Sequence, residues 1–540
     1  MVSPWRLVLL GACLRVAAQF PSLLDATIDD LRGGLDSGAF SAVDLVTAYL
    51  GRISDASSLN SVTEINPDAL DIAAELDRER AQGRVRGPLH GIPVLIKNNI
   101  ASMENNNTAG STALLGAKTP RDAFLVSRLR TAGAVILGKT GLSQWANFRS
   151  SNSSNGWSAH GGQVFGAYVE MQDPSGSSSG SGVAAALGLA AATLGTETSG
   201  SILSPAQRNG VVGIKPTVGL VSRDLVIPIS EHQDTIGPMT GDVKTAAYIL
   251  QAIAGQDAND NYTSAIPASI PTLPDYVAAC KLDALSGARL GVPSNAIELF
   301  LEFDSTRQVE VDAFTSALDT MTRAGANIVQ NTNFTELEAW ANSRAPGIVL
   351  RADFLTNLAS YLSKLSFNPN NVTSLADVSR FTKTISPGPE EFPSRDTATW
   401  DQALDPQSGF GNDDPRFFPI LQENLRLGGE GGLLGALDRH ELDAIVLPTS
   451  FSPGFAAGVG SPVITVPLGY YPANTTKVMN TRGNLVDTAE NVPFGISFLG
   501  RKFDEAKLIG LAFAFEQLTK VRGKVKPFLV PETEVRRRDA

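Results

Sequence analysis

Between residues 174 and 206 two glycine- and serine-rich segments flank a run of small apolar residues, and this pattern limits the fold more than any other stretch of the chain. Residues 183–195, Val-Ala-Ala-Ala-Leu-Gly-Leu-Ala-Ala-Ala-Thr-Leu-Gly, carry little side-chain volume, so neighbouring elements must approach closely to pack them. Their alanine and leucine content predicts a tightly packed, buried helix. The run is too short and too often broken by glycine to cross a bilayer. A Ser/Gly-rich stretch such as residues 175–182 ordinarily reads as a flexible linker. Leading straight into a buried helix, it reads instead as a loop held against the core.

Residues 195–206, Gly-Thr-Glu-Thr-Ser-Gly-Ser-Ile-Leu-Ser-Pro-Ala, set Ser201 among glycine and hydroxyl residues. A serine hydroxyl is a weak nucleophile, so a site built on it needs a base and donors for the developing oxyanion. Upstream, Lys97 follows the apolar run Val94, Leu95, Ile96. A lysine accepts a proton only when neutral, so its ordinary pKa of about 10.4 has to fall by desolvation, and the apolar run suggests such a setting. Taken alone, Lys97 reads as a surface lysine ending an edge strand. Its combination with the two serine loops reverses that reading. Residues 176–180 also satisfy Gly-x-Ser-x-Gly, with Ser178 central. That elbow needs a strand directly before it and a histidine after it. Gln172, Asp173 and Pro174 make a poor strand, and only His232 and His440 follow. The four histidines, His90, His160, His232 and His440, lack metal-ligand spacing, so they read as structural and no metal or other cofactor is assigned.

Three segments, residues 88–100, 174–182 and 195–206, resemble in this order the amidase signature family. Residues 121–149, 210–223, 233–239 and 492–500 are also similar to family blocks, and residues 45–53 and 77–91 resemble its N-terminal helices. The resemblance implies an α/β fold with a single large mixed central sheet covered by helices. It also implies a Ser-Ser-Lys triad: Ser201 as nucleophile, Ser177 as a bridging serine that follows a cis peptide bond, and Lys97 as base. Neutral Lys97 then draws a proton from Ser177, which draws one from Ser201 as Ser201 attacks the carbonyl. Backbone N–H groups of Thr198, Ser199, Gly200 and Ser201 hold the oxyanion. Ser177 returns the proton to the departing nitrogen, and water hydrolyses the acyl-enzyme. The implied activity is conversion of a small carboxamide to a carboxylate plus ammonia or an amine. Ser175 and Ser179 stand where glycines are commonest, Ser199 replaces a frequent Gly or Asp, Leu203 a common arginine and Asn98 a usual aspartate. These departures keep every triad member and bear on substrate choice. Two other readings share the motifs: a binding protein on this fold without turnover, and the glutaminase component of a transamidation complex.

The 540 residues are 43% hydrophobic and 18% charged, which fits a globular chain, and the net charge of −11 argues against nucleic acid and anionic membranes as partners. Arg6, the apolar residues 7–14 and then Val16, Ala17, Ala18 fit a secretory signal peptide over residues 1–18, with an N-terminal anchor or an unprocessed helix as the alternatives. Cleavage removes Cys13 and leaves Cys280 alone, so no intramolecular disulfide is expected in the remaining single domain, residues 19–540. Asn106, Asn152, Asn261, Asn333, Asn371 and Asn474 begin Asn-x-Ser/Thr sequons. Asn261, Asn333, Asn371 and Asn474 lie in polar segments and are the favoured acceptors. Together these features predict a secreted or vacuolar protein.

Residues 121–133 read as a helix leading into a strand at 134–138, and 139–148 as a loop and short helix. Val311, Phe314, Leu318 and Met321 define another helix, before a strand at 327–329. Short apolar runs at 444–447, 463–468 and 493–499 read as buried strands. In residues 266–439 the family likeness fades and Pro, Gly and Asp clusters predict loops and short helices over the core. This divergent region is either a cover that shapes substrate access or ordinary surface variation.

Overall fold

Eleven strands form the central sheet of the computed structural model, which describes residues 21–150, 152–268, 270 and 272–536. They are β1 (Val62–Ile65), β2 (Pro93–Lys97), β3 (Val135–Thr140), β4 (Ala192–Glu197), β5 (Val212–Lys215), β6 (Thr235–Thr240), β7 (Arg289–Val292), β8 (Asn327–Gln330), β9 (Ala444–Pro448), β10 (Val463–Tyr470) and β11 (Pro493–Leu499). Their order across the sheet is β1-β3-β2-β4-β6-β5-β10-β11-β9-β7-β8. The trios β3-β2-β4 and β9-β7-β8 are parallel, whereas every pairing between β4 and β9 is antiparallel, as is β1 with β3. The sheet is mixed and flanked by helices, as the family resemblance implies. Strands β2, β3, β4, β6, β9 and β11 are buried along their whole length. Burial of both faces favours continuous apolar runs over alternation, which made several of these strands legible.

The helices Phe124–Thr131 and Gln308–Arg323 match the periodic segments. Elsewhere the structure departs from expectation. Residues 183–195 are not one helix: the helix is Ser179–Ala186, and β4 begins at Ala192. Gly188 turns the chain with φ 59°, and a Cβ there would lie 2.4 Å from the Leu23 carbonyl oxygen. A glycine in the left-handed region stops a helix, and the alanines beyond it are small enough to serve as sheet residues. In residues 77–91 only the end of the helix Ala69–Ala81 is helical. Lys139 and Thr140, expected in a loop, are the last residues of β3.

Residues 266–439 do not lie over the core as one unit, because β7 and β8 belong to the central sheet. The remainder is more helical than its composition suggests and includes the 19-residue helix Ala345–Ser363. Phe354, Leu358 and Tyr361 of that helix, with Trp400, pack against Trp145, Ile227 and Ile229 in a hydrophobic cluster of their own. No helix among the described residues is long and apolar enough to cross a membrane. The leader at residues 1–18, with Cys13, lies outside the described residues.

Candidate active site

The parallel trio β3-β2-β4 brings Thr140, Lys97 and Glu197 together at its carboxyl edge, where parallel sheets characteristically place ligand sites. Lys97 is fully buried. Its Nζ lies 2.8 Å from Ser177 Oγ, 3.0 Å from Ser178 Oγ, 2.9 Å from Thr196 Oγ1 and 3.3 Å from the Thr196 carbonyl oxygen. Burial pushes its pKa down to about 7, with the Asp234 and Glu197 carboxylates pulling the other way. The lysine is therefore a usable base near neutral pH, surrounded by hydroxyls.

Ser177 follows a cis peptide bond with Gly176 and precedes the helix Ser179–Ala186. Gly176 has no room for a side chain: a Cβ there would lie 2.4 Å from Ser143 Oγ and 2.9 Å from Asn147 Nδ2. The Ser143 N–H donates to the Ser177 carbonyl at 3.1 Å. Ser178, the centre of the competing elbow, is fully buried. Its Oγ donates to the Thr196 carbonyl at 3.1 Å and accepts from the Thr196 N–H at 3.2 Å, so this hydroxyl ties the loop to β4. No strand leads into it, and the elbow reading falls.

Ser201 lies between β4 and the helix Leu203–Arg208, and its carbonyl accepts from the Ser178 N–H at 3.2 Å. The two serine loops are thus in contact, although the Ser177 and Ser201 hydroxyls share no direct hydrogen bond among the described residues. Glu197, which the sequence reading passed over, is buried beneath the Ser201 loop. Its carboxylate accepts from the N–H groups of Gly200 (2.8 Å), Ile202 (2.7 Å) and Leu203 (3.0 Å). Of the four expected oxyanion donors, the Gly200 N–H is thus engaged by Glu197, whereas those of Thr198, Ser199 and Ser201 have no protein acceptor among the described residues. The available sequence signal was a carboxylate ending a strand four residues before the serine.

Asp234 steadies the same loop from the other side. It accepts from Thr198 Oγ1 at 2.6 Å and from the N–H groups of Ile229 (2.7 Å) and Ser230 (3.0 Å). Burial raises its pKa to about 6. Beside it opens a cavity of about 230 Å³, lined in part by Ala146, Thr198, Ile229 and Asp234 and by Asn357 and Tyr361 of the helix Ala345–Ser363. Asn98, in place of an aspartate, accepts from the Thr108 N–H (3.2 Å) and Oγ1 (2.6 Å), and so closes a loop rather than touching Lys97.

No histidine hydrogen-bonds to Lys97, Ser177 or Ser201 among the described residues. His90 Nε2 is 2.9 Å from the Leu76 carbonyl, and burial lowers its pKa. His160 pairs with Glu64 at 2.9 Å and His232 with Asp353 at 2.9 Å. Glu231, His232 and Asp353 form the one metal-like donor set among the described residues. Asn412 Nδ2 bridges its two carboxylates at 2.6 and 2.9 Å, and Ser230 Oγ also donates to Asp353, so these oxygens are already occupied by protein donors.

Residues 44–509 match the family model described as Amidase. A protein of Arthroderma benhamiae named as an amidase is 54% identical over 96% of this chain and 90% of its own length. The native peptide amidase of Stenotrophomonas maltophilia superposes with a TM-score of 0.82 at 39% identity, covering 94% of this chain and 99% of that one. The chain belongs to the amidase signature family. A glutamyl-tRNA(Gln) amidotransferase component from Geobacter metallireducens is more distant, at 31% identity over 92% of this chain and 98% of its own. As a member of the family the protein is a serine amidohydrolase acting on C–N bonds, and the Ser-Ser-Lys arrangement is characteristic of that family.

Proposed function

We propose that Lys97, Ser177 and Ser201 carry the amide hydrolysis of this protein. The observation that supports this most directly is the buried Lys97 amine 2.8 Å from Ser177 Oγ, with its pKa lowered to about 7. The neutral amine accepts the Ser177 proton while Ser177 takes that of Ser201, and the Ser201 oxygen adds to the amide carbon. The oxyanion is held by the N–H groups of Thr198, Ser199 and Ser201. Collapse of the tetrahedral intermediate expels the amine, protonated through Ser177, and water then cleaves the acyl-enzyme. Catalytic hydrogen bonds commonly tighten when substrate binds, so the Ser177–Ser201 bond is expected to close in the substrate complex.

The likeness to a peptide amidase makes amino-acid and peptide amides the first substrates to try. A panel of short, aromatic, fatty and blocked-dipeptide primary amides tests this class. Ser201→Ala should abolish both turnover and fluorophosphonate labelling while leaving the fold intact. Labelling retained in that variant reassigns the nucleophile, and absence of turnover on every amide would favour a binding protein on this fold.

The protein is further inferred to be a secreted or vacuolar glycoprotein. The leader pattern of residues 1–18 supports this, as do the exposed sequon residues Asn152, Asn261, Asn371 and Asn474. Asn106 and Asn333 are half-buried, and their Oδ1 atoms accept from the N–H groups of Gly116 (3.3 Å) and Asn295 (3.2 Å). The mature chain should begin at Gln19 and lose mass on glycan removal. Cytosolic protein that retains residues 1–18 contradicts the inference.

A further inference from the structure

A carboxylate from the divergent region is buried under one wall of the site. Glu390 is fully buried and receives five side-chain or backbone donors from the half of the chain that carries the serine and lysine motifs. Its Oε1 accepts from Ser111 Oγ (2.9 Å), the Thr112 N–H (2.9 Å) and Thr112 Oγ1 (2.7 Å). Its Oε2 accepts from Gln144 Nε2 and from Arg149 Nη1 (3.1 Å). Arg149 is itself buried and also donates to the carbonyls of Glu390 and Arg395, each at 2.8 Å.

Gln144 and Arg149 are the two ends of a short, unusual segment. Between them Trp145, Ala146 and Asn147 all have left-handed backbone, with φ of 52°, 54° and 69°. Three consecutive non-glycine residues do not hold that conformation unaided, so the surroundings must fix it. Glu390 fixes both ends at once. The Trp145 indole packs edge-on to Phe354 and Trp400, at 6.4 and 5.9 Å between ring centroids, which ties the middle to the same helical region.

This segment faces the reacting groups. Ser143, just before it, holds the Ser177 carbonyl, and Asn147 Nδ2 closes over Gly176. Ala146 lines the cavity beside Thr198. We propose that Glu390 is a positioning residue: by clamping Gln144 and Arg149 it sets the left-handed wall 145–147, and so determines which acyl groups fit beside Ser201. The proposal rests on the assignment of Ser177 and Ser201 made above. It gives part of the region 266–439 a defined role in substrate selection.

Glu390→Gln keeps the shape and the Oε1 contacts but presents an amide N–H₂ to the donors of Gln144 and Arg149, so the clamp opens at one side. The full-length variant is compared with wild type on p-nitrophenyl acetate and on the p-nitrophenyl ester of benzyloxycarbonyl-phenylalanine. For the bulky ester KM should rise about tenfold with kcat within about threefold, whereas both constants for the acetate stay within about twofold. Hydrogen exchange over residues 143–149 should be about tenfold faster, a reading that needs no substrate. Ala146→Gly leaves every Glu390 contact in place and suits φ 54°, so it folds even if Glu390→Gln does not; it should raise KM for the bulky ester about threefold. Parallel loss of kcat on both esters, or unchanged KM and exchange in a folded variant, overturns the proposal. Wild-type protein that neither cleaves p-nitrophenyl acetate nor takes up a fluorophosphonate instead overturns the serine-hydrolase assignment beneath it.

Discussion

Two lysines on neighbouring strands share burial and pKa but not surroundings. Lys97 ends β2 and Lys139 lies next to the end of β3, and in the parallel register Ile96 pairs with Lys139 and Lys97 with Thr140. Both are fully buried, and desolvation brings each to about 7. The Lys97 amine is ringed by the hydroxyls of Ser177, Ser178 and Thr196. The Lys139 amine has one hydrogen-bond partner among the described residues, the Ile100 carbonyl, to which it donates. A carbonyl accepts a hydrogen bond but cannot pass a proton on, so Lys139 has no path to a nucleophile. A lowered pKa therefore makes a lysine available as a base, and its neighbours decide whether it is used.

The largest effect that can break this comparison belongs to Lys97. Lys97→Ala should slow hydrolysis of an amide by roughly 10²–10⁴-fold, the usual range for loss of a general acid–base group. A nitrophenyl ester with the same acyl group should lose at least about tenfold less, because its leaving group departs without a proton. Acylation rates are the quantity to compare, since slow deacylation masks the difference. In the wild type, acylation should rise with pH through about 7 and level off above it, as Lys97 becomes neutral in the folded protein. Equal losses on both substrates, or a flat profile across that range, remove Lys97 from the relay.

A smaller effect is expected at Glu197, which shapes the loop without touching Lys97. Glu197→Gln exchanges a carboxylate that holds three N–H groups for an amide with one acceptor oxygen. Hydrogen bonds to charged groups contribute about 1.5–3 kcal/mol, so stability should fall by about that amount. Displacement of the oxyanion donors should lower kcat for amide roughly ten- to a hundredfold, and loss of the carboxylate charge, which favours protonated Lys97, should move the pH midpoint downward. A lowered midpoint with unchanged kcat would show that Glu197 acts through the lysine charge alone.

The contrast also explains what could be read from the sequence. The approach of Lys97 to Ser177 and the meeting of the two serine loops were legible because each segment is a short contiguous motif whose residue types follow from the chemistry. Strands such as β9 and β11 were legible because burial of both faces leaves an unbroken apolar run. Glu390 was hidden because its meaning depends on Arg149, 241 residues away, and on a region whose likeness to the family fades. The pairing of His232 with Asp353 spans 121 residues and was hidden for the same reason. Gly188 misled the helix reading because composition favours helix on both sides of it, and only the close approach of Leu23 reveals the turn. The engagement of the Gly200 N–H by Glu197 was hidden because spacing shows which donors are near a serine but not which acceptor already holds them.

The smallest effect should come from Lys139, and it completes the comparison by separating burial from catalysis. Lys139→Met keeps the length and apolar stem of the side chain and removes the amine. The Ile100 carbonyl loses its donor, a cost of about 1–3 kcal/mol, offset in part because a buried amine no longer has to be desolvated. Amide turnover should stay within about threefold of wild type. The pH dependence of stability should change more clearly. The folded pKa of Lys139, about 7, lies below its ordinary value of 10.5, so between these limits the unfolded chain binds more protons than the folded one. Wild-type stability therefore gains up to about 1.4 kcal/mol per pH unit from this group as pH rises through that window. Lys139→Met should lose that increment, so urea titrations of the two proteins should diverge between about pH 7 and 10. Loss of amide turnover in a folded Lys139→Met protein would mean that β3 supplies a second base, and the distinction drawn from the partners of the two lysines would fail.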